Sequence, residues 1–469
     1  MLFDFYHRHR FLIVAIGATA FVFLLASILR HEMLQSNLFD LGIFDQAVYL
    51  ISRGAHPYVT TLGFHILGDH AALVLYPIAL LYALVPHVYW LFFVQAVALA
   101  LGALPVFQLA RREGLSPEWS KVATLAYLAY PALFNINLFD FHTEVVGLPA
   151  LLWAVWAGLS RRYLQLAIAV AIVLASKAVM SLTVVMLGVW LFLKRERLAG
   201  ALVGTAGLTW FYLSSKVVIP MFTGGPPAAV GRYSYLGHSL GEIVWNVFTQ
   251  PTLVLGRLFG PEALVYYIGL LVPVALAIHW RKATAMVPAL AMLLMNVLSD
   301  MSAQRDLVHQ YSLPIFPFLI LWQIQSLKHF ELNGTRRWLT PRVLGIWMLI
   351  SFLAFAKFGY FFSLYTTRLT NLPAAKQAMN LITGPGGVLS ESALASHLSQ
   401  RERVEMINAE TEPTEEYLGR YGYVLLDTTN PAWRNSAEYS RTLQQRLETD
   451  PRFRRVFNDQ GIQLFARIL

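Results

Sequence analysis

The stretch Asn37-Leu-Phe-Asp40-Leu-Gly-Ile-Phe-Asp45-Gln-Ala-Val-Tyr49 sets two carboxylates directly after a long apolar run, Phe11 to Leu29. A charge at the edge of a membrane-spanning segment is expensive unless it has a partner or a wet cavity. Two readings stand for it: a solvated loop at a helix end, where acids meet water, or one wall of a polar site. The company Asp40 and Asp45 keep further along the chain favours the second.

Of the 469 residues, 57% are hydrophobic and 13% charged, and the apolar residues fall in long runs rather than amphipathic stripes. With a mean hydropathy of +0.52, this is the composition of an α-helical polytopic membrane protein. The first run is too long for the apolar part of a cleavable signal and has no small-residue cleavage site after it, so the first helix is expected to stay. The net charge of +9 does not point to nucleic acid, because the Lys and Arg sit in short clusters between apolar runs, as in cytoplasmic loops. No cysteine is present, which excludes disulfides, thiolate metal sites and a cysteine nucleophile.

The basic clusters set the expected topology. His7-Arg8-His9-Arg10 before the first run places the N-terminus in the cytoplasm. The segment His70 to Pro86 is demoted to an interfacial helix, because otherwise Arg111-Arg112 would face outward. Residues 30–86 then form one large outer loop. Arg161-Arg162, Lys194-Arg-Glu-Arg197, Arg281-Lys282 and Lys328 with Arg336-Arg337 recur at every second turn. Beside the first helix and His87 to Ala110, spans are expected near Lys121–Asn137, Val145–Leu159, Tyr163–Ser176, Val179–Leu193, Leu198–Ile219, Ala263–Trp280, Ala283–Ser299, Tyr311–Leu327 and Val343–Phe361. That makes about 11 transmembrane helices, with the C-terminus outside. A second outer loop covers 220–262, with an interfacial helix expected over Leu240 to Leu255. The domain division is therefore a transmembrane domain over 1–365 and a small extracytoplasmic α/β domain over 366–469. In the latter, strands are expected at Val388–Ser390, Tyr423–Asp427 and Gly461–Phe465, and helices at Ala393–Gln400 and Ala437–Glu448.

On this topology the polar residues that interrupt apolar context collect on the outer face. The first loop carries Asp40, Asp45, His65, Asp69 and His70. In Asp140-Phe-His142-Thr-Glu144, an extended backbone would point two carboxylates and an imidazole to one side, ligands that suit a divalent cation. The same acids also suit the positive end of the following helix. Lys177 lies between two short spans, and Asp300, Arg305, Asp306, His309 and Tyr311 precede another. Arg with a nearby His can hold a phosphate, and Arg305 can equally pair with its acidic neighbours.

These motifs carry a resemblance. Asp45-Gln-Ala-Val-Tyr49-Leu-Ile-Ser-Arg-Gly54, Gly68-Asp69-His70 before an interfacial apolar helix, and Leu109-Ala-Arg111-Arg112 ending a span are similar to the start of the GT-C membrane glycosyltransferases, in the protein mannosyltransferase and aminoarabinose transferase branch. Phe39-Asp-Leu-Gly-Ile-Phe-Asp45-Gln46, Phe139-Asp-Phe-His142-Thr-Glu144, Arg232-Tyr-Ser-Tyr-Leu-Gly237 and His309-Gln-Tyr-Ser-Leu-Pro314-Ile-Phe-Pro317-Phe318 resemble more closely a prokaryotic family known as domain of unknown function 2079, over nearly the whole chain. The resemblance implies an inverting enzyme of the cell envelope with a polyprenyl-phosphate sugar donor. Asp45 would serve as general base or through a metal, with Asp40 in support, and Lys177, Arg305 and His309 would stabilise the leaving phosphate. A divalent ion (Mg, Mn or Zn) would be held by Asp45, Asp140, His142 and Glu144, with His65, Asp69 and His70 nearby. The chain departs from the pattern at Lys177-Ala178-Val179, where Lys-Glu-Asp is expected, so two acids are absent. The rival class is a transporter or lipid flippase with intramembrane acids as ion sites, although the spans show no inverted repeat.

Overall fold

The computed structural model describes residues 2–468, with side chains from residue 10 onward. The side chains of His7, Arg8 and His9 lie outside the described residues. The first helix, α1 (Leu2–Glu32), is followed by a π-helical turn at Leu38–Gly42, then α2 (Ile43–Ser52), a short hairpin β1 (Tyr58–Val59) and β2 (Phe64–His65), α3 (Leu67–His70) and α4 (Leu75–Leu84). Exposed Ile13, Val14, Phe21, Val22, Leu25 and Leu29 on α1 are where lipid would replace protein contacts. Helix α4, too short to cross, buries Leu75, Ile78, Ala79 and Tyr82 and packs on α2.

A helical segment lies at every expected span position. They are α5 (Tyr89–Leu101) with α6 (Ala103–Arg112), α7 (Pro117–Leu128) with α8 (Pro131–Leu138), α9 (Glu144–Leu159), α10 (Tyr163–Ser176), α11 (Met180–Leu193) and α12 (Arg197–Leu213), which continues into α13 (Ile219–Thr223). After the second loop come α14 (Leu240–Thr249), α15 (Pro251–Leu258), α16 (Pro261–Leu271), α17 (Leu290–Leu298), α18 (Phe316–Asn333), α19 (Pro341–Phe355) and α20 (Phe358–Tyr365). Among the described residues, five stretches are long and apolar enough to cross by themselves: Arg10–Glu32, Tyr89–Arg112, Arg197–Thr223, Trp280–Leu298 and Pro341–Tyr365. Pro251–Leu258 and Pro261–Ala277 form a further pair bent by 48°. Helices α11 and α12 are pressed together along glycines: a Cβ on Gly200 would stand 2.6 Å from the Gly188 carbonyl oxygen, the close approach that small residues permit between membrane helices.

One expected helix is corrected. Leu240 to Leu255 is not continuous, because Pro251 has no N–H to donate and disfavours the helical region for Gln250, which sits at φ −118°, ψ 59°.

The C-terminal part is built on a five-stranded sheet of order β4-β3-β5-β7-β6. After α21 (Leu372–Asn380) come β3 (Val388–Ser390), α22 (Ser392–Ala395), β4 (Val404–Met406), α23 (Glu415–Leu418), β5 (Tyr423–Asp427), α24 (Ala437–Thr449), β6 (Phe453–Asp459) and β7 (Ile462–Arg467). β3 runs parallel to β4 and β5, and β7 is antiparallel to β5 and β6. The helix expected over Ala393–Gln400 shrinks to Ser392–Ala395, because the Ser396 and Ser399 hydroxyls bond back to the carbonyls of Ala393 and Ser396. Strands β4 and β6 escape the sequence pattern: both lie at sheet edges, where polar Glu405, Arg454 and Arg455 are tolerated.

This unit is not packed on its own. Leu34, fully buried, completes a core with Ala374, Ala378, Val388, Leu425 and Leu464, and Leu38 completes another with Ala395, Val404 and Met406. Below the loop at 432–435, Glu391 is 1% exposed and accepts from the Ala432 N–H (3.1 Å) and the Asn435 amide (2.6 Å). Burial pushes its carboxyl from 4.5 up to about 7, although both hydrogen bonds pull the other way. A folded-state value above the unfolded one favours the protonated form, so this contribution is complete below about pH 4.5 and lost as pH rises to about 7. The melting temperature of the purified protein is expected to fall across that window, and Glu391→Gln to flatten that part of the curve.

Candidate active site

Two backbone hydrogen bonds bring the segment 30–86 against the turn between α10 and α11: Val74 N–H to the Ala175 carbonyl (3.1 Å) and Ala178 N–H to the His70 carbonyl (2.8 Å). They place Asp69 and His70 beside Lys177, the residue that ends α10 in an extended conformation. Lys177 Nζ donates to Oε1 of Glu144, the first residue of α9, at 2.7 Å, with side chains 8% and 4% exposed. The second Glu144 oxygen is buried without a hydrogen-bond partner. From the other side, a 3-10 turn at Ala228–Tyr233 presents Arg232, whose guanidinium lies 5.4 Å from the Tyr311 ring. Arg232 makes no ion pair among the described residues.

These groups, with Gln304 and Gln310, form the polar end of a cavity of about 410 Å³. The rest of its lining is mostly apolar, with Phe211, Ile219, Leu236, Val247, Met292 and Met295 among its walls. Burial pushes the Asp69 carboxyl up to about 6, with Lys177 opposing, and holds the His70 imidazole well below its ordinary value, with Lys177 helping. Lys177 and Glu144 neutralise each other, and Arg232, which faces the Asp69 carboxyl across the same end, is the cation left without an ion pair to meet an anionic ligand.

The two acids of the first loop part company. Asp40, in the π-helical turn, has a quarter of its side chain accessible and stands 3.8 Å from His142 Nε2, while His142 Nδ1 is buried without a partner. Asp45, 2% exposed, accepts from Tyr82 (2.6 Å), Ser399 (2.6 Å) and Gln400 (3.1 Å). Burial pushes its carboxyl up against those three bonds. It lines a separate cavity of about 260 Å³ at the junction with the C-terminal unit, shared with His31, His87, His397 and Arg401.

The profile described as predicted membrane protein (DUF2079) matches residues 30–464. The chain belongs to this family. ArnT from Cupriavidus metallidurans bound to undecaprenyl phosphate aligns with this DUF2079 protein over 97% of its chain and 98% of ArnT, at 14% identity and a TM-score of 0.58. The apo state of the same ArnT gives 12% identity and 0.54 over the same shares. The archaeal oligosaccharyltransferase AglB from Archaeoglobus fulgidus, in complex with an inhibitory peptide and a dolichol-phosphate, gives 11% identity and 0.36 over 88% of this chain and 69% of AglB. None of the curated proteins matches. At these identities the ArnT likeness shows a shared fold alone.

Within the DUF2079 chain, Lys177, Glu144, Asp69 and His70 are brought together, and Asp40 meets His142. The four residues expected to hold a metal, Asp45, Asp140, His142 and Glu144, are not brought together. Asp140 takes φ 73° and Thr143 φ −65°, so the backbone turns instead of extending its three polar side chains to one side. Asp140 is ion-paired with Arg30 and accepts from the Asn37 N–H (3.1 Å), Glu144 is held by Lys177, and Asp45 lies in the other cavity. Among the described residues no three metal-ligating side chains are grouped to hold an ion. Arg305 is pinned by Glu262 (2.5 Å) and the Asn296 carbonyl (3.1 Å), and His309 by Asp306 (2.6 Å), so neither lines the large cavity. His65 stacks on Phe222 at 4.3 Å, outside both linings. Its motif gives Arg232 no role, and its signal is an arginine in a loop expected outside, against the bias that keeps basic residues inside.

Proposed function

We propose that this protein is an integral membrane glycosyltransferase that moves a sugar, with inversion, from a polyprenyl-phosphate donor to an acceptor hydroxyl on the outer face. The observation that carries it is the 410 Å³ cavity, largely apolar along its walls, with Lys177 and Arg232 at its polar end. A prenyl chain suits those walls, and a phosphate suits Lys177 and the unpaired Arg232. The likeness to ArnT, a structure bound to undecaprenyl phosphate, supports the same reading. In the reaction, the acceptor oxygen bonds to the anomeric carbon as the bond from that carbon to the phosphate oxygen breaks. Lys177 and Arg232 stabilise the charge growing on the leaving phosphate. The acceptor proton goes to Asp40, the accessible acid beside His142, whereas Asp45, with both oxygens occupied, holds the C-terminal unit in place. This reading takes about 11 crossings of a prokaryotic cytoplasmic membrane, with the N-terminus inside, the C-terminus outside, and the division of domains near residue 366.

Mass spectrometry of lipid extracted from the purified protein checks this. Polyprenyl phosphate or its sugar ester is expected to co-purify with the wild type, and Arg232→Ala to lower its occupancy by about tenfold, the scale of one charge-assisted bond. A stable preparation free of such lipid would defeat the proposal.

A further inference from the structure

Trp433, on the loop after β5, is 52% exposed although it packs on the first outer loop. Its indole meets the Phe39 ring edge to face at 5.4 Å and 70°. Arg434 lays its guanidinium over both rings, 4.6 Å from the centre of Trp433 and 5.8 Å from that of Phe39.

The segment that presents this group is held firmly. Arg434 sits at φ 65°, the left-handed region that a long side chain seldom adopts. Its carbonyl accepts from the Ala409 N–H at 2.8 Å, and buried Glu391 ties down Ala432 and Asn435 on either side. The contacts with Phe39 and Arg434 leave about half of the indole uncovered. It offers contact area at low entropy cost, with polar groups around it. Phe39 is also the residue before Asp40, which faces His142 at 3.8 Å.

We propose that Phe39, Trp433 and Arg434 form the acceptor-binding platform, and that it takes a pyranose ring. The ring's C–H face lies on the exposed indole, its hydroxyls accept from the Arg434 guanidinium, and one hydroxyl is turned toward Asp40. This rests on the transferase reading and names its acceptor as a carbohydrate, with the C-terminal unit as the element that selects it.

Saturation-transfer NMR on the purified full chain, with the methyl pyranosides and linear trisaccharides of mannose, glucose and galactose as probes, tests the assignment. Wild type is expected to transfer saturation to at least one of these sugars. Trp433→Ala should lower that signal by about fivefold or more, in line with the loss of one aromatic stacking partner. Arg434→Gln, which leaves the indole and the Glu391 anchor in place, should lower it as well. Trp338→Ala, removing a similarly exposed indole (56%) far along the chain, should leave it unchanged. No saturation transfer to any of these sugars, or a signal equal in wild type and Trp433→Ala, overturns the platform. Saturation of a serine- or threonine-containing peptide in place of the sugars overturns the carbohydrate class. Retention of polyprenyl phosphate, measured on the same preparations, is expected to be the same in Trp433→Ala and wild type. Its absence from wild type would sink the transferase reading separately.

Discussion

Lys177→Met is expected to lower sugar transfer by about 100- to 1,000-fold, the effect of removing one preorganised donor from a developing oxyanion. It is also expected to cost about 3–5 kcal/mol of stability, because it strands a carboxylate that was buried with its partner. Both follow from one contact, the 2.7 Å bond from Lys177 to Glu144 with neither side chain more than 8% exposed. The two effects separate in the double variant Lys177→Met/Glu144→Gln, which buries no uncompensated charge. It should regain most of the melting temperature and none of the turnover. If turnover returns with stability, Lys177 is only the counter-ion of Glu144, and the phosphate must be held by Arg232 without it.

Asp40→Asn is expected to reduce turnover by about 100-fold or more, the scale of losing a general base, while the lipid content of the preparation stays as in wild type. Asp45→Asn is expected to act elsewhere. It weakens three hydrogen bonds to a buried carboxylate, each worth about 1.5–3 kcal/mol when the acceptor is charged. Two of these come from Ser399 and Gln400, so the C-terminal unit should loosen and become open to limited proteolysis before turnover is lost. The comparison is made at matched protein level. Loss of turnover in Asp45→Asn with the C-terminal unit still protected, together with an active Asp40→Asn, would exchange the two roles.

The helices were legible because a run of apolar residues near the thickness of a bilayer leaves the backbone few alternatives. Even the short pair α10 and α11 lies where the pattern places it. Lys177, Glu144, Asp69 and His70 stood out as polar groups in apolar surroundings. What could not be read is mostly a matter of distance along the chain. Asp140 looked like a ligand because its neighbours alternate, and nothing local reveals that Arg30 waits 110 residues away. Asp45 looked like the free acid of the loop, while the hydroxyl that claims it lies 354 residues downstream. Strands β4 and β6 were missed for a different reason, since edge strands with one polar face lack the apolar run that marks a buried one.

That separation sets a schedule for assembly. Asp45, Leu34 and Leu38 emerge early in synthesis, but Ser399 and the cores that receive both leucines belong to the last part of the chain. At the usual 5–20 residues per second, the first loop waits on the order of 20 to 70 s for its partners. During that interval a carboxylate and two leucines destined for burial stand in water. A nascent chain halted before residue 399 would therefore carry all its membrane helices and still display an unfinished first loop, open to proteases and to any chaperone on that face of the membrane.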